Sequence, residues 1–173
     1  MKGGIAMEEE KKLKDNIIQD AYYLISKFNN DGKDVTNLQI QKLMYFFESY
    51  YMNIYDDVDK LYDCNFCAWA FGPVAIPLYK EFRKFGNDKI ELTEENKKEG
   101  ENISKDKKEL LDIIYNAFKE TPAIKLVELT HMQGSPWYEV WERNGRKVGY
   151  GSNTHIDKQQ SKEWFRKTFE KQR

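Results

Sequence analysis

Apolar residues recur every three or four positions through much of the chain, the spacing that gathers them on one face of an α-helix. The first such stripe begins near Lys11 and ends at Phe28, where a run of asparagine, aspartate and glycine follows. Thr36 is typical of a residue that begins a helix, and the bulky residues after it lie on more than one face. We therefore predict a mainly α-helical chain in which the helix after Thr36 is central.

Helix start signals recur further along the chain. Ser104 precedes a periodic apolar stretch, and Asp157 is followed by a glutamine three residues later. Pro122 and Pro136 each suit the first turn of a short helix. A chain of 173 residues has the size of one domain. These signals predict a single compact domain of about six helices over residues 12–171, with at most a small β-hairpin or extended segment.

The segment around Gly72-Pro73 interrupts this pattern. Residues 61–71 alternate in a way that suits an extended segment, although their alanine, cysteine and tryptophan also suit a short helix. Because the residue before a proline is disfavoured in the helical region, Gly72-Pro73 is predicted to end that segment. A helix is predicted to begin at Val74, with Pro77 in its first turn. Residues 88–105 are charged and lack a periodic apolar face, which predicts a solvated connection.

The charge balance argues against a protein that binds nucleic acid mainly through phosphate contacts. The chain has 28 lysines and arginines and 29 aspartates and glutamates, which gives a formal net charge of −1. No stretch is long and apolar enough for a signal peptide or a membrane span, so we expect a cytoplasmic protein without a membrane partner. Residues 1–11 are expected to be a leader or a disordered segment.

Residues that could carry chemistry are few. Cys64 and Cys67 have the spacing of half a zinc site or of a redox pair, but the second half of a zinc site is missing and the context does not suit a redox motif. We interpret them as small packed residues. His131 has an apolar helical spacing and is interpreted as structural, the enzymatic alternative being a hydrolase that uses His131 with Glu128. We expect no enzyme activity, no catalytic, cofactor-binding or metal-binding residues, and no cofactor.

The aromatic content is the unusual part of the composition, with 11 tyrosines, 10 phenylalanines and 4 tryptophans. Most of these residues must lie in the core, but tyrosine and tryptophan are also enriched where proteins bind other proteins. Four tyrosines lie close together in the central predicted helix and exceed what its packing requires: Tyr45, Tyr50, Tyr51 and Tyr55. We predict that they contribute to an exposed aromatic patch for a protein partner.

Three motifs occur in a specific order along the chain. Residues 36–46 read TNLQIQKLMYF, residues 66–74 read FCAWAFGPV, and residues 129–137 contain LTH followed by GSPW. In this combination the chain resembles the Panacea domain, the family of SocA-like antitoxins and of phage-associated proteins of the GepA type. The resemblance covers about residues 12–170.

The resemblance implies a mostly helical domain, found in bacteria and their phages, that neutralises a toxin encoded beside it by binding the toxin directly. In the SocA-like branch it also implies a proteolytic adaptor that delivers the toxin to a ClpXP-type protease. The expected partners are therefore a cognate toxin and such a protease. The alternative is a phage-associated or host-factor-binding protein that acts only as an adaptor. No appended DNA-binding or zinc domain is recognised, so nucleic acid is not an expected partner.

The motif residues are expected to shape the fold. Gly72 permits a close approach or a positive φ, and Pro73 fixes the direction in which the chain leaves the turn. Trp69 and Phe71 are expected to anchor this turn against the helix segment 43–47. The expected structural residues are Leu43, Trp69, Gly72, Pro73, Ser135, Pro136 and Trp137. Recognition of the toxin is expected from the surfaces around them.

Overall fold

The computed structural model describes residues 17–58, 61–147 and 154–170, which form eight α-helices, one short 3-10 helix and one β-hairpin. The helices are α1 (residues 17–30), α2 (Asn37–Tyr55), α3 (Ile76–Phe82), α4 (Glu94–Glu101), α5 (Lys105–Phe118), α6 (Ala123–Thr130), α7 (Pro136–Arg143) and α8 (Lys158–Phe169). The strands are β1 (Phe66–Trp69) and β2 (Gly72–Ala75), and the 3-10 helix is Arg83–Phe85. The mainly helical fold class is confirmed, with eight helices instead of about six. The predicted leader, residues 1–11, lies outside the described residues.

Helix α2 is the central element, as predicted. Thr36 begins it with a capping box, in which the Thr36 hydroxyl oxygen accepts from the Gln39 N–H and the Gln39 side chain accepts from the Thr36 N–H. The helix contacts α3, α5, α6, α8 and β2. Side chains are buried on both of its faces. Because a helix enclosed in this way is normally apolar all round, its buried polar residues are the informative exceptions.

Aromatic rings fill the space between α2 and the C-terminal part of the chain. Phe46 is fully buried at the centre of this region. Its ring centroid lies 5.0 to 6.2 Å from those of Phe118, Phe169, Phe165 and Trp164. These separations are those of favourable aromatic pairs. Helix α8 therefore completes the core that α2 begins.

The extended alternative for residues 61–71 is the one that the chain adopts, and β1 pairs with β2 in the small β-hairpin that the predicted fold class allowed. In the antiparallel register, Phe66 pairs with Ala75 and Trp69 pairs with Gly72. Val74 therefore belongs to β2, and the prediction that it begins a helix is wrong, since α3 begins at Ile76. The prediction failed because partners from distant parts of the chain hold the strand in place, as described below.

Helix α4 lies in the segment that was predicted to be a solvated connection. Thr93 begins the helix by accepting a hydrogen bond from the Asn96 N–H. Gly100 is its buried residue and lies against the backbone of α1: a Cβ at this position would be 2.7 Å from the Tyr23 nitrogen and 2.9 Å from the Tyr22 carbonyl carbon. The helix is held by this close backbone approach and not by an apolar stripe, so the periodicity of the sequence does not indicate it.

The predicted helix starts further along the chain are present. Ser104, Ser135 and Asp157 each accept a hydrogen bond from the backbone N–H three residues later. Pro122 directly precedes α6, and Pro136 occupies the first turn of α7. Local chemistry therefore determines where these helices begin.

Candidate partner-binding surfaces

Tyr45 lies in the core and not in an exposed aromatic patch. Its side chain is 2% exposed, and its hydroxyl is 2.8 Å from the Ser161 hydroxyl of α8. Its ring lies between those of Phe66 and Trp164, at 5.3 and 6.3 Å. The expected place of Tyr45 in the exposed patch is corrected, because its face of α2 is covered by the hairpin and by α8.

The other three predicted tyrosines lie nearer the surface. Tyr50 and Tyr51 are half-buried and pack against the core, whereas Tyr55 at the end of α2 is 45% exposed. The rings of Tyr51 and Tyr55 are 4.4 Å apart, and Ile54 beside them is 49% exposed. A small aromatic surface therefore remains at this end of α2, without Tyr45.

A second candidate surface surrounds the hairpin, which side chains from other elements hold in place. The indole N–H of Trp137 donates to the Trp69 carbonyl at 2.7 Å. The Ala75 N–H donates to the Gln41 side-chain oxygen at 2.9 Å. The Lys42 ammonium donates to the Pro73 carbonyl at 2.9 Å. Backbone groups on both strands are thereby fixed to α2 and α7.

The outer edge of β1 is also paired. The Ala68 N–H donates to the Thr154 carbonyl at 2.9 Å, and the Ile156 N–H donates to the Phe66 carbonyl at 2.8 Å. A hairpin of two short strands has little stability of its own in water. Here its backbone is bound on both sides, so the position of its tip is set by the rest of the fold.

The close approach of the hairpin to α2 depends on both Gly72 and Lys42. Gly72 has a φ of +105°, and a Cβ on it would lie 2.7 Å from both Lys42 Cε and Thr130 Oγ1. Only glycine combines this dihedral angle with so close an approach. The strand can therefore lie directly over the Lys42 side chain, which is 0% exposed.

Lys42 is the residue of this region that sequence reasoning did not single out for a role. Burial lowers the pKa of its ammonium from 10.5 to about 7. The available signal was its helical spacing: Leu38, Tyr45 and Phe46 lie four, three and four residues away, so a lysine shares a face with apolar residues. A lysine at such a position needs a fixed acceptor, which the Pro73 carbonyl provides.

The remaining motif residues are distributed between two groups. Leu43 is buried in the main core, whereas Trp69 packs in a smaller cluster with Cys67 and Val74. Phe71 is 67% exposed, so the expectation that it anchors the turn against α2 is wrong. Its side chain extends from the tip of the hairpin because the two strands already fix the turn.

His131 stacks on Trp137, with ring centroids 3.6 Å apart. Partial burial, together with the positive charge of Lys42, lowers the pKa of His131 to about 4, so its imidazole is neutral at pH 7. The Glu128 carboxylate instead binds the Lys125 ammonium at 2.7 Å. Among the described residues, no side chain forms a hydrogen bond with the buried Nε2 of His131. The pairing of His131 with Glu128 that a hydrolase would use is therefore not formed.

Two buried carboxylates connect helices in the interior. Asp20 lies 3.0 Å from the Lys107 ammonium and accepts from the Tyr62 hydroxyl at 2.6 Å, while Glu48 lies 2.9 Å from the Lys158 ammonium. Burial raises the pKa of both carboxyls, and the paired lysines oppose that shift. These pairs join α1 to α5 and α2 to α8.

The cysteines are free thiols, Cys64 partly exposed and Cys67 buried. Burial raises the pKa of Cys64 to about 11 and also raises that of Cys67, so both are protonated at neutral pH. Within the described ranges, no three histidine, cysteine, aspartate or glutamate residues are grouped in a way that could hold a metal ion.

An apolar groove of about 330 Å³ runs beside the hairpin tip, between α2 and α3. It is lined by Asn37, Leu38, Gln41, Trp69, Ala70, Phe71, Val74, Tyr79, Arg83, Gly86 and Asn87. The Trp69 and Tyr79 rings meet edge to face at 4.8 Å in its wall. We call this site the hairpin groove. It combines exposed aromatic area with a fixed backbone, the features of a site that binds another protein.

The buried lysine leads to a prediction about pH. In the folded protein the pKa of Lys42 is lowered, so the unfolded chain binds more protons between about pH 7 and pH 10.5. The contribution of Lys42 to the free energy of unfolding therefore increases as the pH rises through this window. It decreases again as the pH falls towards 7. The expected slope is up to about 1.4 kcal/mol per pH unit.

Urea unfolding of the wild-type protein and of Lys42→Met, at pH 7.0 to pH 8.5, measures this contribution. As the pH rises, the stability difference between the two proteins is expected to shift in favour of the wild type, because only the wild type has Lys42. The cysteines titrate equally in both proteins and therefore do not contribute to the difference. An equal pH dependence would contradict the burial of an ionisable Lys42.

Comparison with known proteins identifies the family. Residues 40–138, more than half of the chain, match the family model described as antitoxin SocA-like, Panacea domain. No curated protein and no solved structure matches the chain. None of the helices in the described part of the chain is long and apolar enough to cross a membrane. The matched segment runs from α2 through the hairpin into α7 and includes every lining residue of the hairpin groove except Asn37 and Leu38. The chain therefore belongs to the SocA-like antitoxin family and carries its Panacea domain.

Proposed function

We propose that this protein is the antitoxin of a bacterial or phage toxin-antitoxin system and neutralises its cognate toxin by binding it directly. Membership of the SocA-like antitoxin family carries this proposal. It is further supported by an aromatic groove whose walls are held by hydrogen bonds to α2 and α7. In this proposal the protein acts in the cytoplasm and requires no catalysis of its own.

Neutralisation by binding requires a surface larger than the hairpin groove alone. A specific protein complex buries about 800 Å² on each partner, and a few central residues contribute most of the binding energy. The hairpin groove provides such a centre, since the ring of Phe71 is 67% exposed and lies with the partly exposed ring of Tyr79 in the groove lining. The toxin is inhibited when this contact covers its active site or holds it in an inactive conformation.

The test is co-expression with the product of the neighbouring gene in a bacterial host. The neighbour alone is expected to stop growth, and co-expression of this protein is expected to restore growth and give a complex that co-purifies. The control is a chain with Arg143→Glu, a change at an exposed residue outside the groove that is expected to restore growth as well as the wild-type chain does. If both proteins accumulate but growth is not restored, the antitoxin proposal fails.

The same experiment separates direct occlusion from delivery to a protease. In a host that lacks the ClpXP protease, an antitoxin that acts by occlusion still restores growth, with the toxin present in the complex. An adaptor that delivers the toxin for degradation restores growth only when the protease is present. Loss of rescue in the protease-deficient host would mean that the protein acts as an adaptor and not by occlusion.

A further inference from the structure

The hairpin groove has an apolar interior and a cationic rim. Its interior is formed by the rings of Trp69 and Tyr79 together with Val74 and Leu38. Its volume of about 330 Å³ is at the lower end of the range for ligand sites, which suits one or two side chains and not a whole helix. The ligand it can take is therefore an apolar side chain presented by a larger molecule.

The rim is positively charged because of the spacing along α3 and the 3-10 helix that follows it. Arg83 follows Tyr79 by four residues and so lies on the same side as the ring in the groove wall. The side chains of Arg83, Lys80 and Lys84 are exposed, and Arg83 is the charged residue of the lining.

No carboxylate neutralises this rim within the part of the chain that the structure describes. The nearest acid in sequence, Glu81, accepts a hydrogen bond from the Tyr22 hydroxyl at 2.6 Å, and Arg83 has no ion pair among the described residues. A carboxylate brought in by a ligand would meet Arg83 without first displacing another carboxylate from it.

We propose that the hairpin groove docks a protein segment that presents an apolar side chain next to a carboxylate. The apolar side chain packs against the exposed ring of Phe71 and the groove wall beside it, and places the carboxylate beside Arg83. The inference rests on the proposed function only for the identity of the protein that presents the segment, which is the toxin.

A protein segment fits this site better than a nucleic acid. A nucleic acid would also place anions near Arg83, but its backbone charge requires an extended basic surface, whereas the chain has a net charge of −1. The apolar lining of the groove favours binding of a single apolar side chain, while the neighbouring polar groups of the partner stay outside the groove in water.

The test uses the full chain, labelled with ¹⁵N, and two short blocked peptides. In one peptide a phenylalanine stands between aspartates, and in the other it stands between lysines. The acidic peptide is expected to cause saturable NMR shifts at the Trp69 indole and the Phe71 amide. The basic peptide is expected to bind at least about tenfold more weakly, because like charges are brought together at the rim. A single-stranded DNA oligonucleotide is titrated in parallel.

Arg83→Glu should reverse the preference between the two peptides. Arg143→Glu is the matched control, since it makes the same change at an exposed arginine of α7 outside the groove and should leave the preference as in the wild type. Both variants are checked for unchanged melting temperature.

Absence of shifts at Trp69 and Phe71, equal or tighter binding of the basic peptide, or tighter binding of the oligonucleotide would each overturn the proposal. The titration needs no toxin. A failed rescue of growth therefore argues against the antitoxin function, and a failed titration argues against the ligand chemistry of the groove.

Discussion

Replacing Phe46 with alanine is expected to lower the free energy of unfolding by about 3 to 5 kcal/mol, the cost of a large cavity in a closely packed core. The ring of Phe46 is 0% exposed and lies among four other aromatic rings from α5 and α8. Because α2 and α8 are both long and tightly joined here, the surrounding side chains cannot collapse fully into the space. For a chain of this size the loss corresponds to a fall in melting temperature of roughly 6 to 20 °C.

Phe71→Ala is the matched control for this variant. It makes the same chemical change, but Phe71 is 67% exposed and its removal leaves no cavity. Its effect on the free energy of unfolding is expected to stay within about 0.5 kcal/mol. Urea denaturation followed by circular dichroism measures both. Similar midpoints for the two variants would mean that Phe46 is not a central residue of the core.

Replacing Trp137 with alanine is expected to be at least as costly and to affect the hairpin specifically. The change removes a buried ring that stacks on His131, which costs about 3 to 5 kcal/mol. It also removes the indole N–H that donates to the Trp69 carbonyl. The loss of this hydrogen bond costs about 0.5 to 1.5 kcal/mol more. Hydrogen exchange at the amides of residues 66–75 is expected to accelerate more than exchange in α5.

Trp137→Phe separates the two contributions. Phenylalanine keeps most of the ring area over His131 but has no N–H to offer to the Trp69 carbonyl. This variant is expected to lose less overall stability than Trp137→Ala and still to show faster exchange in the hairpin. If hairpin exchange is unchanged in Trp137→Phe, the indole hydrogen bond does not hold the hairpin.

The parts of the fold that could be predicted from the sequence are those determined by nearby residues. Four helices begin at a residue whose side chain accepts a hydrogen bond from the backbone N–H three residues later: Thr36, Ser104, Ser135 and Asp157. Such short-range interactions can be recognised from the sequence alone. The central place of α2 could also be predicted, because bulky residues on all sides of a helix require partners on all sides.

A small hairpin was among the predicted possibilities, but its position and register could not be predicted because its backbone partners come from distant elements. Residues 61–71 suited both a strand and a short helix, and the choice depends on Gln41, Trp137 and Thr154, which lie far away in sequence. Helix α4 was missed for a related reason: Gly100 allows contact between two backbones, and a backbone contact leaves no apolar pattern.

The candidate site was predicted only in part. The aromatic content indicated a protein partner, but Tyr45 turned out to face the core, while Phe71 at the hairpin tip is the most exposed of the large apolar side chains among the described residues. Exposure depends on which face of each element is covered by its neighbours, and that coverage follows from the packing of α8 and the hairpin against α2.

The long-range pairs of α2 determine when the domain can fold during synthesis. The partners of Tyr45 and Glu48 in α8 lie 116 and 110 residues further along the chain. At about 5 to 20 residues per second, translation needs roughly 6 to 23 seconds to add a segment of this length. During that interval the emerging polypeptide presents an uncovered aromatic surface and an unpaired carboxylate. Ribosome stalling before α8 is made would therefore leave a nascent chain prone to aggregation and to capture by chaperones.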